Sequence, residues 1–235
     1  FDDTTDVFDL LDKAETNLFE VAETNLRRSA ENMQTLVQSA VENIEKASKN
    51  EGSMSGIPSG FHKLDNITAG WQPTDLIILA ARPGMGKTAF VLSMARNIAV
   101  DFGKAIAIFS LEMGAVQLVT RLMSSEAEIS SEKLKKGNLD RDEWEKLNKS
   151  IGNLTSANIL IDDTPGLSIF ELRAKSRRLK AQHDIQMIII DYLQLMTADA
   201  GGKGGNREQE ISTISRSLKA LAKELNVPVI CLSQL

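Results

Sequence analysis

Lys87 and Thr88 close the stretch ARPGMGKT, residues 81–88, and these residue types at this spacing suit a polyphosphate. Gly84 and Gly86 let backbone N–H groups curl around phosphate oxygens. A helix opening at Lys87 adds the positive end of its dipole. The Lys87 ammonium reaches β- and γ-phosphates, and the Thr88 hydroxyl is suited to Mg²⁺. Arg82, Pro83 and Met85 complete the turn, and Ala89 lies in the first helical turn. Ala81 stands where the pattern G-x-x-x-x-G-K-[ST] has its first glycine. Alanine disfavours positive φ, so the chain must enter this loop in a β-like conformation.

Hydrolysis of a nucleoside triphosphate needs a second Mg²⁺ anchor and a group that orients water. In MIIIDY, four apolar residues deliver Asp191 to a strand end, where open α/β sheets bind ligands. IFSLEM places Glu112 just past another apolar run, as a carboxylate able to polarise water or as a solvated loop residue. ICLSQL ends a third run with Gln234, whose amide suits a γ-phosphate sensor. Asp162 and Asp163 are expected to start a turn before Pro165 and Gly166. His62 and His183 have no metal-ligand spacing, and no zinc site is expected.

These residues need a scaffold of strands ending on one edge. Apolar runs rich in isoleucine predict strands at 75–81, 105–111, 158–162, 187–191 and 228–233, buried on both faces. Helical stretches fall between them, at 87–101, 115–127, 140–151, 168–182 and 207–225. Gly103 is the stop for the first, and Ser168 with Glu171 forms a capping box for the fourth. The alternation predicts an α/β domain with a mainly parallel sheet flanked by helices.

Residues 1–50 read differently, with no Gly or Pro and apolar residues at helical spacing. Two helices are expected, 5–23 and 30–48, each with one apolar stripe that must cover either its own domain or a neighbouring subunit. The stretch NEGSMSGIPSG marks a boundary, giving 1–52 as an N-terminal helical part and 53–235 as the phosphate-binding domain.

Composition sets outer bounds. Hydrophobic residues make up 42% and charged residues 25% of 235, as in ordinary globular proteins. No apolar run approaches the roughly 18 residues of a membrane span. The acidic start lacks a basic signal-peptide region. The single cysteine, Cys231, offers no disulfide framework and fits a reducing cytosol, so a cytoplasmic location is expected. The net charge of −5 argues against nonspecific nucleic-acid binding but leaves room for a local basic site.

Taken together, GIPSGFHKLDNITAGWQPTDLIILAARPGMGKTAF, FSLEM, IIIDYLQLM, NREQEISTISRSLKALAKELNVPVI and LSQL resemble, in order, the motor of the DnaB-type replicative DNA helicases. The start of the chain resembles the end of that family's N-terminal domain and its linker. The resemblance implies a RecA-like P-loop NTPase core, a homo-hexameric ring and ATP-driven 5′–3′ movement on single-stranded DNA, with Mg²⁺ as the metal. It implies that Lys87 and Thr88 bind triphosphate and Mg²⁺, that Glu112 is the catalytic carboxylate, and that Asp191 is the Walker B residue. Gln234 would couple the γ-phosphate to DNA-binding loops, and Arg121 would lie near the nucleotide. The second N-terminal helix would be the linker helix that docks on the next subunit. Primase and a helicase loader are implied partners. The family continues past SQL with further strands, a DNA-contacting loop and an arginine finger, so the chain is expected to be a C-terminally truncated motor, weak or inactive alone. Lys203 and Arg207, in a Gly- and Lys-rich segment at 198–207, either touch DNA phosphates in the ring channel or belong to a solvated loop with no aromatic platform. A RecA-like ATPase of another role (a recombination mediator or a clock-type switch), a small-molecule P-loop kinase and a noncatalytic scaffold are the competing readings.

Overall fold

Of the five expected strands, those at 106–110 and 187–191 and most of that at 229–234 are buried on both faces. The two at the sheet edges are not: 159–162 is half-buried and 76–81 exposes Ile78 and Ala80, because an edge strand has less covering it. The protein is described from a computed structural model that covers residues 32–49, 54–197 and 207–235. The expected helix at 5–23 and the site candidate Lys203 lie outside these residues. Residues 1–51 and 52–235 are separate units and are taken one at a time.

In the first unit, helix α1 spans Met33–Lys49. Asn32 starts it, accepting from the Thr35 backbone N–H at 2.9 Å. Met33, Leu36, Val37, Val41 and Ile44 recur at helical spacing and are all exposed.

The second unit carries α2 (His62–Thr68), β1 (Leu76–Ala81), α3 (Lys87–Arg96), β2 (Ile106–Ser110), α4 (Ala115–Ala127), α5 (Ser131–Lys136), α6 (Arg141–Ser156), β3 (Ile159–Asp162), α7 (Ile169–His183), β4 (Met187–Asp191), α8 (Arg207–Leu225) and β5 (Val229–Gln234). The strands form one sheet in the order β1-β5-β4-β2-β3, with every pair parallel. Alternate residues feed opposite faces. Phe109, Ile188, Ile190, Val229 and Cys231 pack with Leu172 of α7 and Leu218 of α8. Ile108, Met187, Ile189, Ile230 and Leu232 pack with Leu92 of α3 and Leu118 of α4. Cys231 is fully buried, and burial pushes its thiol up to about 12.

Capping follows the sequence. Ser168 and Glu171 form the expected box at α7, and Asp140 with Glu143 forms a second at α6. The stretch expected as one helix over 87–101 is α3 followed by a π-helical turn, Asn97–Asp101. α6 runs five residues past the expected end at 151 and accommodates Gly152. The second unit takes shape near Gly56, where the sequence places the start of the phosphate-binding domain. Gly56 and Gly70 meet so closely that a Cβ on either would sit 2.6–2.7 Å from the other's backbone carbon. That contact seats the antiparallel bridge Ile57–Trp71 beside α3, where the Trp71 indole N–H donates to Met94 Sδ.

Arg96 ties three helical segments together. Its Nε donates to Glu126 of α4 at 2.6 Å, its Nη1 reaches Asp101 at 2.7 Å, and Glu126 also accepts from Asn153 of α6 at 3.1 Å. The Arg96 hydrogen bond holds the Glu126 carboxyl below its usual range. A depressed carboxyl contributes stability above its unfolded pKa, near 4.5, and loses it as pH falls through the folded value. Replacing Arg96 with Met is expected to cost roughly 2–3 kcal/mol at pH 7, the low end for breaking a partly buried pair. Urea melts should show the gap to wild type narrowing at pH 4 and below. A constant gap across that range would assign the loss to packing.

Candidate active site

β1 leaves the sheet at Ala81 in extended conformation, as the alanine requires, and the loop 82–86 is exposed throughout. Gly84 and Gly86 have φ of 75° and 87°, the left-handed region that glycine enters without a Cβ penalty. Nothing lies within 4 Å of where either Cβ would be, so the glycines serve backbone shape and leave room over the loop. α3 begins at Lys87 with Gly86 as N-cap and no side-chain cap, so its first-turn N–H groups remain for a ligand.

Strand register brings the other candidates to the same edge. Ala81 is level with Gln234, and Ser110 with Asp191. The Thr88 hydroxyl donates to Asp191 Oδ2 at 2.8 Å across 103 residues of sequence. The Asp191 side chain is buried, and its Oδ1 has no hydrogen-bond partner. Burial raises its pKa first, and the charge of Glu112 raises it further. The Thr88 hydrogen bond and the charges of Lys87 and Arg121 oppose both. Lys87, Glu112 and Arg121 therefore all bear electrostatically on one buried carboxylate.

Glu112 sits in a turn that buried Ser110 pins: its Oγ donates to the Met113 carbonyl at 2.6 Å and accepts from the Met113 N–H at 3.3 Å. The Leu111 N–H donates to the Asp191 carbonyl at 2.7 Å. Glu112 and Arg121 are both exposed and line one groove of about 820 Å³ with Ala89 and Arg96. Lys87 lies over the Tyr192 ring at 5.4 Å and donates to the Ser233 carbonyl at 3.0 Å. Gln234 is exposed at the tip of β5.

Two assignments gain detail. Asp162 closes a turn by accepting from the Thr164 N–H at 3.0 Å, as expected. Asp163 instead accepts from the Ala115 N–H at 2.8 Å, capping α4 from another loop. Arg207, the described member of the pair expected either to contact DNA or to belong to a solvated loop, donates to Glu210 and to the Gln194 carbonyl. Among the described residues no cluster of His, Cys, Asp and Glu suits a metal site of its own, and no helix is long and apolar enough to cross a membrane. Sequence reasoning missed Tyr192, Gln194 and Ser233, and the contact of Asp163 with α4. Tyr192 and Gln194 lie within DYLQLM, but Tyr192 meets Lys87 from far earlier in the chain and Gln194 meets Ser233 and Gln234 of β5.

Residues 56–235 match the family model of the DnaB-like helicase C-terminal domain. The chain belongs to that family. This DnaB-like chain shares 48% identity, over 98% of its length, with "Replicative DNA helicase DnaC" of Bacillus subtilis. It shares 51% over the whole chain with "Replicative DNA helicase DnaB" of Rhodothermus marinus. The chain spans 50% of the first and 25% of the second. Among solved structures, one described as a protein's ATPase domain superimposes with a TM-score of 0.80 at 37% identity, covering 88% of this chain and 72% of that one. A DnaB-like replicative helicase described together with its interactions with primase gives 0.76 at 35% identity, covering 95% and 53%. The expected parallel α/β architecture thus agrees with that of DnaB-like ATPase domains.

Proposed function

We propose that this chain is the Mg-ATP-hydrolysing motor of a replicative DNA helicase that encircles single-stranded DNA as a hexamer and moves 5′–3′. The observation that carries the reading is the Thr88–Asp191 contact at the mouth of the phosphate loop, with the second Asp191 oxygen unpartnered. A buried carboxylate oxygen without a partner beside a hydroxyl fits a divalent cation. Thr88 and Asp191 would hold Mg²⁺, which when bound neutralises charge on the phosphate oxygens.

The chain's own groups do the rest. Loop N–H groups at 82–86 and the α3 N-terminus hold phosphate oxygens. Lys87 leaves the Ser233 carbonyl to reach the β- and γ-phosphates. Glu112, fixed by the Ser110 turn, orients water, with Arg121 beside the nucleotide. Gln234 reads the γ-phosphate. Arg207 and Lys203 border DNA. The exposed stripe of α1 docks on the next subunit, making residues 1–52 the linker part and 53–235 the motor. Primase and a loader are partners, and the cytoplasm is the site of action.

The test uses the full-length protein. ATPase turnover is measured with and without single-stranded DNA, alongside unwinding of a forked duplex with a 5′ tail. DNA should raise turnover and the fork should open only with hydrolysable ATP. No unwinding and an ATPase indifferent to DNA would favour the recombination or clock-type alternative.

A further inference from the structure

Beyond Asp191, the chain turns away from the sheet. The β4–β5 pairing ends at Ile190–Cys231, while β5 continues through Gln234. On the β4 side the last residues of β5 therefore lack a strand partner. The side chain of Gln194, in a 3₁₀ turn at Leu193–Leu195, takes that place. Its Nε2 donates to the Gln234 carbonyl at 2.9 Å and to Ser233 Oγ at 2.9 Å, and its Oε1 accepts from the Gln234 N–H at 3.3 Å. A side-chain amide pairs here with a backbone amide as another strand would. The same residue's carbonyl accepts from Arg207, the first residue of α8. On the far side of β5, the Ser233 carbonyl holds the Lys87 ammonium.

We propose that Gln194 is a positioning residue that clasps the tip of β5 to the start of α8, so that nucleotide capture of Lys87 is felt at Arg207. The proposal rests on the nucleotide-site reading above and adds a physical link that reading does not contain. Phosphates that draw Lys87 away strip the Ser233 carbonyl of its cation. On that side the tip then keeps its pairing with β1, at Ala80–Ser233 and Ala81–Gln234, and on the other side any shift of residues 233–234 is passed to the Gln194 amide. Because the Gln194 backbone is bonded to Arg207, the α8 start responds. The two ends of this chain of contacts respond separately when the link is cut, which is what the test reads.

The experiment is amide hydrogen exchange on the full-length protein, without DNA, with and without Mg²⁺ and a nonhydrolysable ATP analogue. In wild type, nucleotide should change exchange both in peptides covering 229–235 and in those covering 207–212. In Gln194→Met, which matches the side chain in size and lacks the amide, the change at 229–235 should persist and that at 207–212 should vanish. Arg207→Ala breaks the same link from an exposed position and should give the same split, which keeps the test decisive if Gln194→Met folds poorly. Both ends responding as in wild type, in either variant, would overturn the clasp. Wild type that binds no nucleotide would overturn the site reading and the clasp with it; wild type that binds nucleotide and responds only at 229–235 would overturn the clasp alone.

Discussion

Lys87→Ala is expected to give a folded protein without ATPase activity. The Lys87 ammonium is partly exposed and touches the Ser233 carbonyl and the face of Tyr192. Ser233 is in neither cluster that covers the sheet and Tyr192 only borders one of them, so removal of the ammonium should change stability by about 0.5 kcal/mol, the range for surface positions. Its effect on turnover is of another order. A charge aimed at oxygens that become more negative in the transition state is worth roughly 3–4 kcal/mol, or about 10²–10³ in rate. Phosphate release by the full-length variant, read beside a thermal melt, checks both halves. Turnover within tenfold of wild type would remove Lys87 from the phosphate site. A melt several degrees lower would mean that the Ser233 contact supports the fold.

Asp191→Asn should separate stability from activity in the opposite direction. The wild-type carboxylate is buried, its Oδ1 has no partner, and burial raises its pKa. An unsatisfied buried polar group costs about 1–3 kcal/mol, more when charged. The amide keeps an oxygen for the Thr88 hydroxyl and removes the charge. The nucleotide-free variant should melt about 2–4 °C higher, the shift that ~1 kcal/mol gives a domain of this size. Mg²⁺-dependent turnover should fall at least about a hundredfold, because metal-borne charge stabilisation is worth several kcal/mol. The extra melting temperature that Mg²⁺ with ADP gives wild type should shrink as well. A variant that melts below wild type would show that the carboxylate is satisfied in the resting protein.

What the sequence made legible follows from periodicity and from position on the sheet. β4, expected at 187–191, is found there because its five residues are buried on both faces. Ala81, Asp191 and Gln234 end strands, so parallel pairing alone brings them to one edge. The capping box at Ser168 and Glu171 is local and was readable for that reason. The π turn after α3 was not, since it depends on Arg96 meeting Asp101 and on Asn97 reaching the Ser59 carbonyl. Asp163 looked like a turn residue, and its second role as a cap for α4 spans 48 residues. Short α2 and α5 carry too few apolar positions to show a period. The Gln194 clasp left no pattern, because a side chain standing in for a strand has no repeat.

The burial of Cys231 has a practical side. Its register neighbours are Ile78 on β1 and Ile190 on β4, so the sulfur lies in the middle of the sheet. Alkylating reagents attack thiolates, and a thiol held near 12 and out of solvent offers almost none. Modification must wait until β5 leaves its neighbours. The natural sequence thus contains a chemical stopwatch for this domain: the rate at which Cys231 is labelled in native buffer reports how often the strand carrying Gln234 comes loose.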